Sequence, residues 1–191
     1  MIVFIVLVTL LILYIVYENH TRNKELLKYA QTDALTGLYN KETTEQLTDE
    51  LLSEDENKYH AFLILDVDCF KQINDIYGHA VGDIVLQKFG KLLKGTFREG
   101  DILGRIGGDE FGVIMKNIQT KDIAMKKAEE LLAKTQAYKI EEMKGSNISI
   151  SIGISTAPQD GDCYMDLYKR ADQALYQAKR SGKARVCNYF S

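Results

Sequence analysis

The chain has 191 residues, a formal charge of −3, 46% hydrophobic and 27% charged residues. This is the composition of an ordinary folded chain, with room for one domain and an appendage. The slight acidity excludes a general nucleic-acid binder, which needs a basic stripe, and leaves anionic partners open only where a metal ion lies between. The 3 cysteines, Cys69, Cys163 and Cys187, are scattered, with neither metal spacing nor a disulfide framework.

Residues Ile2 to Tyr17 are apolar except for Thr9. The run of about 16 residues spans about 24 Å as a helix, short of the usual span. Arg22, Lys24 and Lys28 follow it. It reads as a single-pass anchor over residues 1–17, with the C-terminal side in the cytoplasm. Residues 18–32 are polar, with an i, i+4 pair at Leu26 and Ala30. They read as a helical connector or a solvated spacer. The folded domain is expected over 33–191.

Within it, Asn40 is placed to cap a helix carrying Leu47, Leu51 and Leu52. Ala61 to Leu65 is a continuous apolar run of buried-strand length and ends in Asp66-Val67-Asp68. Phe70 to Tyr77 reads as a helix broken at Gly78, and a second helix is predicted from Asp83 to about Thr96. Ile102-Leu103, Gly107-Gly108 and Phe111 to Met115 form the pattern of a tight hairpin. A type I′ turn there requires positive φ at both glycines. A helix fits Ile123 to Tyr138, a strand fits the alternating Ile148, Ile150, Ile152 and Ile154, and a last helix runs from Met165 to Arg180. Few strands with helices between them predict an α+β layer fold.

Several residues stand where chemistry is expected. Asp66 ends a buried strand and Asp109 follows the two glycines. Side by side, the two carboxylates would suit a hard cation shared with substrate phosphates; each also has a bland reading as a helix cap. Asn74 and Asp83 flank a Gly-rich segment and match the hydrogen-bonding edge of guanine, unless Asp83 merely caps a helix. Lys71, Lys179 and Lys183 are candidates for phosphate charge. Arg98 and Asp101 are either a bidentate grip on phosphate or guanine, or a surface ion pair. There is no phosphate loop of the Gly-x-x-x-x-Gly-Lys type, and no Ser–His or Cys–His set for covalent catalysis.

Six blocks in order carry a resemblance over residues 31–187. They are Asp33 to Asn40, Asp66 to Asp75, Gly78 to Asp83, Arg105 to Phe111, Ser151 to Ser155, and Ala171 to Lys183. Together they resemble the GGDEF family of diguanylate cyclases. The resemblance implies a palm-like βααββαβ core, ferredoxin-like and similar to adenylyl cyclases, with a mostly antiparallel central sheet. It implies condensation of two GTP into cyclic di-GMP between two copies of the chain. By this likeness Mg²⁺, or Mn²⁺ in its place, is held by Asp66, Asp109 and the carbonyl of Val67. Asp109, Glu110 and Lys71 form the catalytic set, although strand alternation leaves the part played by Glu110 open. Asn74 and Asp83 hold guanine with Leu86 packing near the base, and Lys71, Lys179 and Lys183 meet the phosphates. Arg98 and Asp101 match the family's Arg-x-x-Asp product-inhibition site. Ala184 stands where the family often has Asn. The alternative is a catalytically silent module that binds GTP or cyclic di-GMP.

Overall fold

The computed structural model of the protein describes residues 12–19, 22, 30–54 and 58–189. Residues 12–19 are helical. Residues 1–11 of the expected anchor and most of the connector lie outside the described residues. Among the described residues no helix is long and apolar enough to cross a membrane.

The domain opens with helix α1 (Lys41–Glu54), followed by strand β1 (His60–Val67), helices α2 (Phe70–Tyr77) and α3 (His79–Thr96), and strands β2 (Ile102–Arg105) and β3 (Glu110–Met115). Helix α4 (Lys121–Ala137), strand β4 (Ile150–Ala157), helix α5 (Tyr164–Arg180) and strand β5 (Val186–Asn188) complete it. The sheet order is β2-β3-β1-β4-β5. All pairs are antiparallel except β4–β5. The predicted α+β core is present, and β5 extends its sheet by a short parallel strand that the periodicity does not reveal.

Each face of the sheet is covered by different helices. Leu63, Leu65, Phe111, Val113 and Ile152 pack with Val85, Phe89 and Leu93 of α3 and with Ala124, Ala128 and Leu131 of α4. Phe89 and Phe111 meet edge to face at 4.9 Å, a geometry that adds about 1 kcal/mol to the apolar burial. Phe62, Ile64 and Ile114 turn to the other face and pack with Tyr164, Leu167, Ala171 and Leu175 of α5. Every residue of β1 and β4 is buried. The small residues of β4 therefore serve close packing: a Cβ on Gly153 would lie 2.1 Å from the Ala171 carbonyl, and the Ser155 hydroxyl donates to the Leu167 carbonyl at 2.8 Å.

Asn40 caps α1 as predicted, its Oδ1 accepting from the Thr43 amide at 2.9 Å. Two local expectations are corrected. Helix α3 begins at His79, so Asp83 lies inside it and is no cap. The β2–β3 connection is not a type I′ turn, because neither Gly107 nor Gly108 has positive φ. Four residues, 106–109, separate the strands, and the amides of Ile106 and Gly107 both donate to the Glu110 carbonyl, at 3.0 and 3.2 Å. What Gly107 supplies is space: a Cβ there would lie 3.0 Å from Glu110 Oε2.

Candidate functional site

The strand β1 ends in the middle of the sheet, where its C-terminal residues meet the start of β3. Register pairs Asp66 with Glu110. Directly opposed residues on antiparallel strands point to the same face, so both carboxylates stand on the α5 side. The Val67 amide donates to the Asp109 carbonyl at 3.2 Å, which ties the signature loop to the end of β1. From α5, Lys179 Nζ reaches Asp66 Oδ2 at 2.7 Å.

The electrostatics follow from this crowding. Burial pushes the Asp66 carboxyl up, Lys179 pulls it down, and Asp109 and Asp68 push it up again, with a net rise. Burial and then the Asp66 charge raise Glu110, against the pull of Lys179. Acids whose proton affinity is raised despite the lysine paired with Asp66 form a site short of positive charge. The donor set is all carboxylate oxygen with a nearby backbone carbonyl at Val67, the chemistry that hard divalent cations prefer. Lys179 supplies positive charge to Asp66. Asp66 and Glu110 are opposed in register, and Asp109 is near enough for its charge to act on both.

The bland readings of these acids fail on geometry. The N-cap of α2 is Cys69, with no side-chain capping bond. Asp68 is instead buried and accepts from the hydroxyls of Ser149 and Ser151 and from the Ala184 amide. Alternation alone would put Asp68 on the Asp66 face, but β1 ends at Val67, and the Asp68 carboxylate is taken up by these partners while its charge still acts on Asp66.

Asn74 and Asp83 are brought near each other by the α2–α3 turn. Asn74 Oδ1 is buried and accepts no hydrogen bond. A Cβ on Gly82 would lie 1.9 Å from that oxygen, so the glycine makes room for it. Asp83 is exposed on the first turns of α3. Leu86 is a core residue, 1% exposed, and supports this helix from beneath. Lys71 is exposed on α2. Lys179 lies on α5 and Lys183 beyond its end, where Lys183 Nζ meets Cys69 Sγ at 3.1 Å. That contact raises the Lys183 proton affinity.

Arg98 and Asp101 lie apart from these residues, before the opposite end of β2 from the signature loop. Asp101 Oδ1 accepts from Arg98 Nε at 3.0 Å and from the Lys116 amide at 3.1 Å. The aspartate side chain is 3% exposed and the arginine 59%, so one anchors and the other is presented. They border a cavity of about 630 Å³ that Leu38, Tyr39, Phe97 and Leu103 also line.

Sequence reasoning missed Arg105 as a functional group. Its guanidinium donates to the Gly108 carbonyl at 2.7 and 3.1 Å and to Asp33 at 3.1 and 3.3 Å. Burial pushes Asp33 up, but Thr36 and Arg105 together hold its carboxyl below the usual range. The available signal was the charge pair itself, two residues before the glycines and 72 residues after Asp33.

Comparison with known proteins agrees with this geometry. Residues 30–185 match the family model for the diguanylate cyclase GGDEF domain. The chain is 37% identical over 170 residues to Diguanylate cyclase A of Treponema denticola, covering 86% of this chain and 46% of that protein. It is 37% identical over 177 residues to the response regulator PleD of Caulobacter vibrioides, covering 89% and 39%. It thus spans about half the length, or less, of these relatives. The coiled coil and GGDEF domain of DgcB from Caulobacter crescentus, solved in complex with c-di-GMP, superposes with TM-score 0.83 at 25% identity, covering 91% of this chain and 93% of that one. The GGDEF domain of TpbB from Pseudomonas aeruginosa gives TM-score 0.79 at 34% identity, covering 83% and 94%. The chain therefore belongs to the diguanylate cyclase GGDEF-domain family.

Proposed function

We propose that this chain condenses two GTP into cyclic di-GMP and two pyrophosphates. The observation that carries the reading is the carboxylate cluster of Asp66, Glu110 and Asp109 at the β1–β3 crossing, short of positive charge, in a chain of this family.

Mg²⁺, or Mn²⁺ in its place, would be held by Asp66 and Asp109, with Glu110 and the Val67 carbonyl beside them, and would supply charge neutralisation to the phosphates. Asn74 Oδ1 is a buried acceptor in need of a donor, and the guanine edge supplies one where adenine lacks the donor pair. Asp83 accepts a second hydrogen bond from the same edge. Lys71, Lys179 and Lys183 bring positive charge to the phosphates. The 3′-oxygen of one GTP bonds to the α-phosphorus of the other while the bond to the pyrophosphate oxygen breaks. The hydroxyl proton passes to Glu110, whose proton affinity is raised. Position and charge supply the catalysis, with no covalent enzyme intermediate.

Each domain holds one GTP, so two copies face each other to complete the reaction. Product binds at Arg98 and Asp101, where a presented guanidinium borders a cavity, and slows synthesis. The test is turnover of labelled GTP with Mg²⁺ by the purified full chain. Product that accumulates, slows as cyclic di-GMP builds up and vanishes in Asp109→Ala is expected. GTP binding without turnover would instead establish the silent sensor reading.

A further inference from the structure

The Asp-Val-Asp segment holds two acids with different surroundings. Asp66 faces the carboxylate cluster. Asp68 is 7% exposed, and every polar contact the structure gives its side chain comes from a distant part of the chain. Its Oδ1 accepts from the Ser151 hydroxyl at 2.7 Å. Its Oδ2 accepts from the Ser149 hydroxyl and from the Ala184 amide, the latter at 3.1 Å. Its own amide donates to the Ser149 carbonyl at 2.9 Å. One buried carboxylate thereby joins the end of β1, the start of β4 and the segment between α5 and β5.

That last segment has an unusual backbone. Lys183 and Ala184 are consecutive non-glycine residues with φ of 61° and 49°. Each left-handed residue with a Cβ costs about 1 kcal/mol or more, so the pair persists only where its surroundings hold it. Two contacts do so. The Lys183 amide donates to the Ala178 carbonyl at 3.1 Å, at the helix end. The next amide, of Ala184, donates to Asp68. This is a charge-assisted bond, of the stronger class. With the main chain held on both sides, the Lys183 side chain turns back to Cys69 and comes within electrostatic range of Asp66 and Asp68.

We infer that Asp68 is a positioning residue that holds the Lys183 backbone in its left-handed turn, aiming the lysine at the phosphates of the bound nucleotide. The two acids of the segment then divide the work: Asp66 serves the cation and Asp68 the lysine. The inference rests on the cyclase reading for the identity of the phosphates.

The experiment compares the full-length wild type with Asp68→Asn, Lys183→Ala and the double variant, reading KM for GTP and kcat separately. Asp68→Asn is expected to raise KM about tenfold, the size of one lost charge-assisted contact, with kcat and the Mg²⁺ dependence little changed. In the Lys183→Ala background it is expected to add nothing further. Independent, multiplying effects of the two substitutions would overturn the inference, as would a fall in kcat with a weakened Mg²⁺ dependence, which would make Asp68 part of the metal site. Amide hydrogen exchange on the unmodified protein needs no variant to fold. Strong protection at Ala184 is expected, and exchange there at the rate of an open loop would also overturn the inference. Failure of the wild type to turn over GTP would sink the cyclase reading and leave the Ala184 exchange result standing on its own.

Discussion

Asp66 and Glu110 are register partners across β1 and β3, two carboxylates placed face to face at the centre of the sheet. Like charges in directly opposed positions destabilise an antiparallel pair; burial raises the proton affinity of both groups, and the Asp66 charge raises that of Glu110 further. Lys179 offsets part of this by pairing with Asp66 at 2.7 Å. The fold therefore carries a local electrostatic cost at this point.

The first prediction is a stability that depends on pH in a stated direction. A carboxyl whose folded pKa lies above its unfolded value costs nothing below the unfolded value. The cost appears as pH rises through the folded pKa. Metal-free Glu110→Gln is expected to be more stable than wild type at pH 7 by about 0.5 kcal/mol, with the difference vanishing near pH 4. Thermal melts with a chelator across that range measure it. Mg²⁺ is expected to raise the wild-type melting temperature more at pH 7 than at pH 4, since its ligands must be deprotonated. Equal metal stabilisation at both ends would remove these carboxylates from the metal site.

The second prediction concerns Arg105, which joins the signature loop to the first residues of the domain through Gly108 and Asp33. Its side chain is 17% exposed, so the pair is partly shielded from water. Arg105→Ala is expected to cost about 2 kcal/mol of stability and to cut GTP turnover at least about tenfold, because the loop carrying Asp109 loses its anchor. Arg105→Lys is expected to restore little, since one ammonium does not reproduce a fork that holds two partners. Wild-type turnover in Arg105→Ala would show that the loop holds its shape without this anchor.

Arg105 also marks the limit of what the sequence discloses. Its partner, Asp33, is distant along the chain, and only the fold brings them together. The same holds for Glu110: alternation leaves its direction open until register sets it against Asp66. Local signals fared better. Asn40 capped its helix, the apolar run at Ala61 became a central strand, and Arg98 with Asp101 was readable from an i, i+3 spacing. The Gly-Gly turn misled because glycine has two uses, positive φ and small size, and only the second applies at Gly107. Strand β5 was missed because its three residues are too few to show a period.

Two glycines test the distinction between packing and site. At Gly153 an added Cβ meets the backbone of α5, 2.1 Å from the Ala171 carbonyl and 2.3 Å from the Leu175 amide nitrogen. Backbone cannot turn aside, so Gly153→Ala is expected to cost about 3 kcal/mol or more. At Gly82 the nearest atom is the free end of the Asn74 side chain, 1.9 Å away. Gly82→Ala is expected to fold, at a cost under about 2 kcal/mol, while displacing Asn74 and raising the KM for GTP about tenfold. Chemical denaturation and steady-state kinetics on both variants separate the outcomes. A normal KM in Gly82→Ala would remove Asn74 from the nucleotide site.

Ala184 is the last case, where this chain departs from the Asn its family often has. Its φ of 49° lies in the left-handed region, where alanine is strained. Asparagine tolerates that region better because its short polar side chain bonds locally, and glycine has no Cβ to clash. The Ala184 amide is bonded to Asp68, so neither substitution removes the contact that holds the turn. Ala184→Asn and Ala184→Gly are each expected to stabilise the protein by about 0.5 kcal/mol, the glycine gaining less than its strain relief because it loses more chain entropy on folding. Equilibrium unfolding in urea at constant m-value measures this. Destabilisation by both substitutions would mean that the Ala184 methyl group makes a packing contribution larger than the strain it causes.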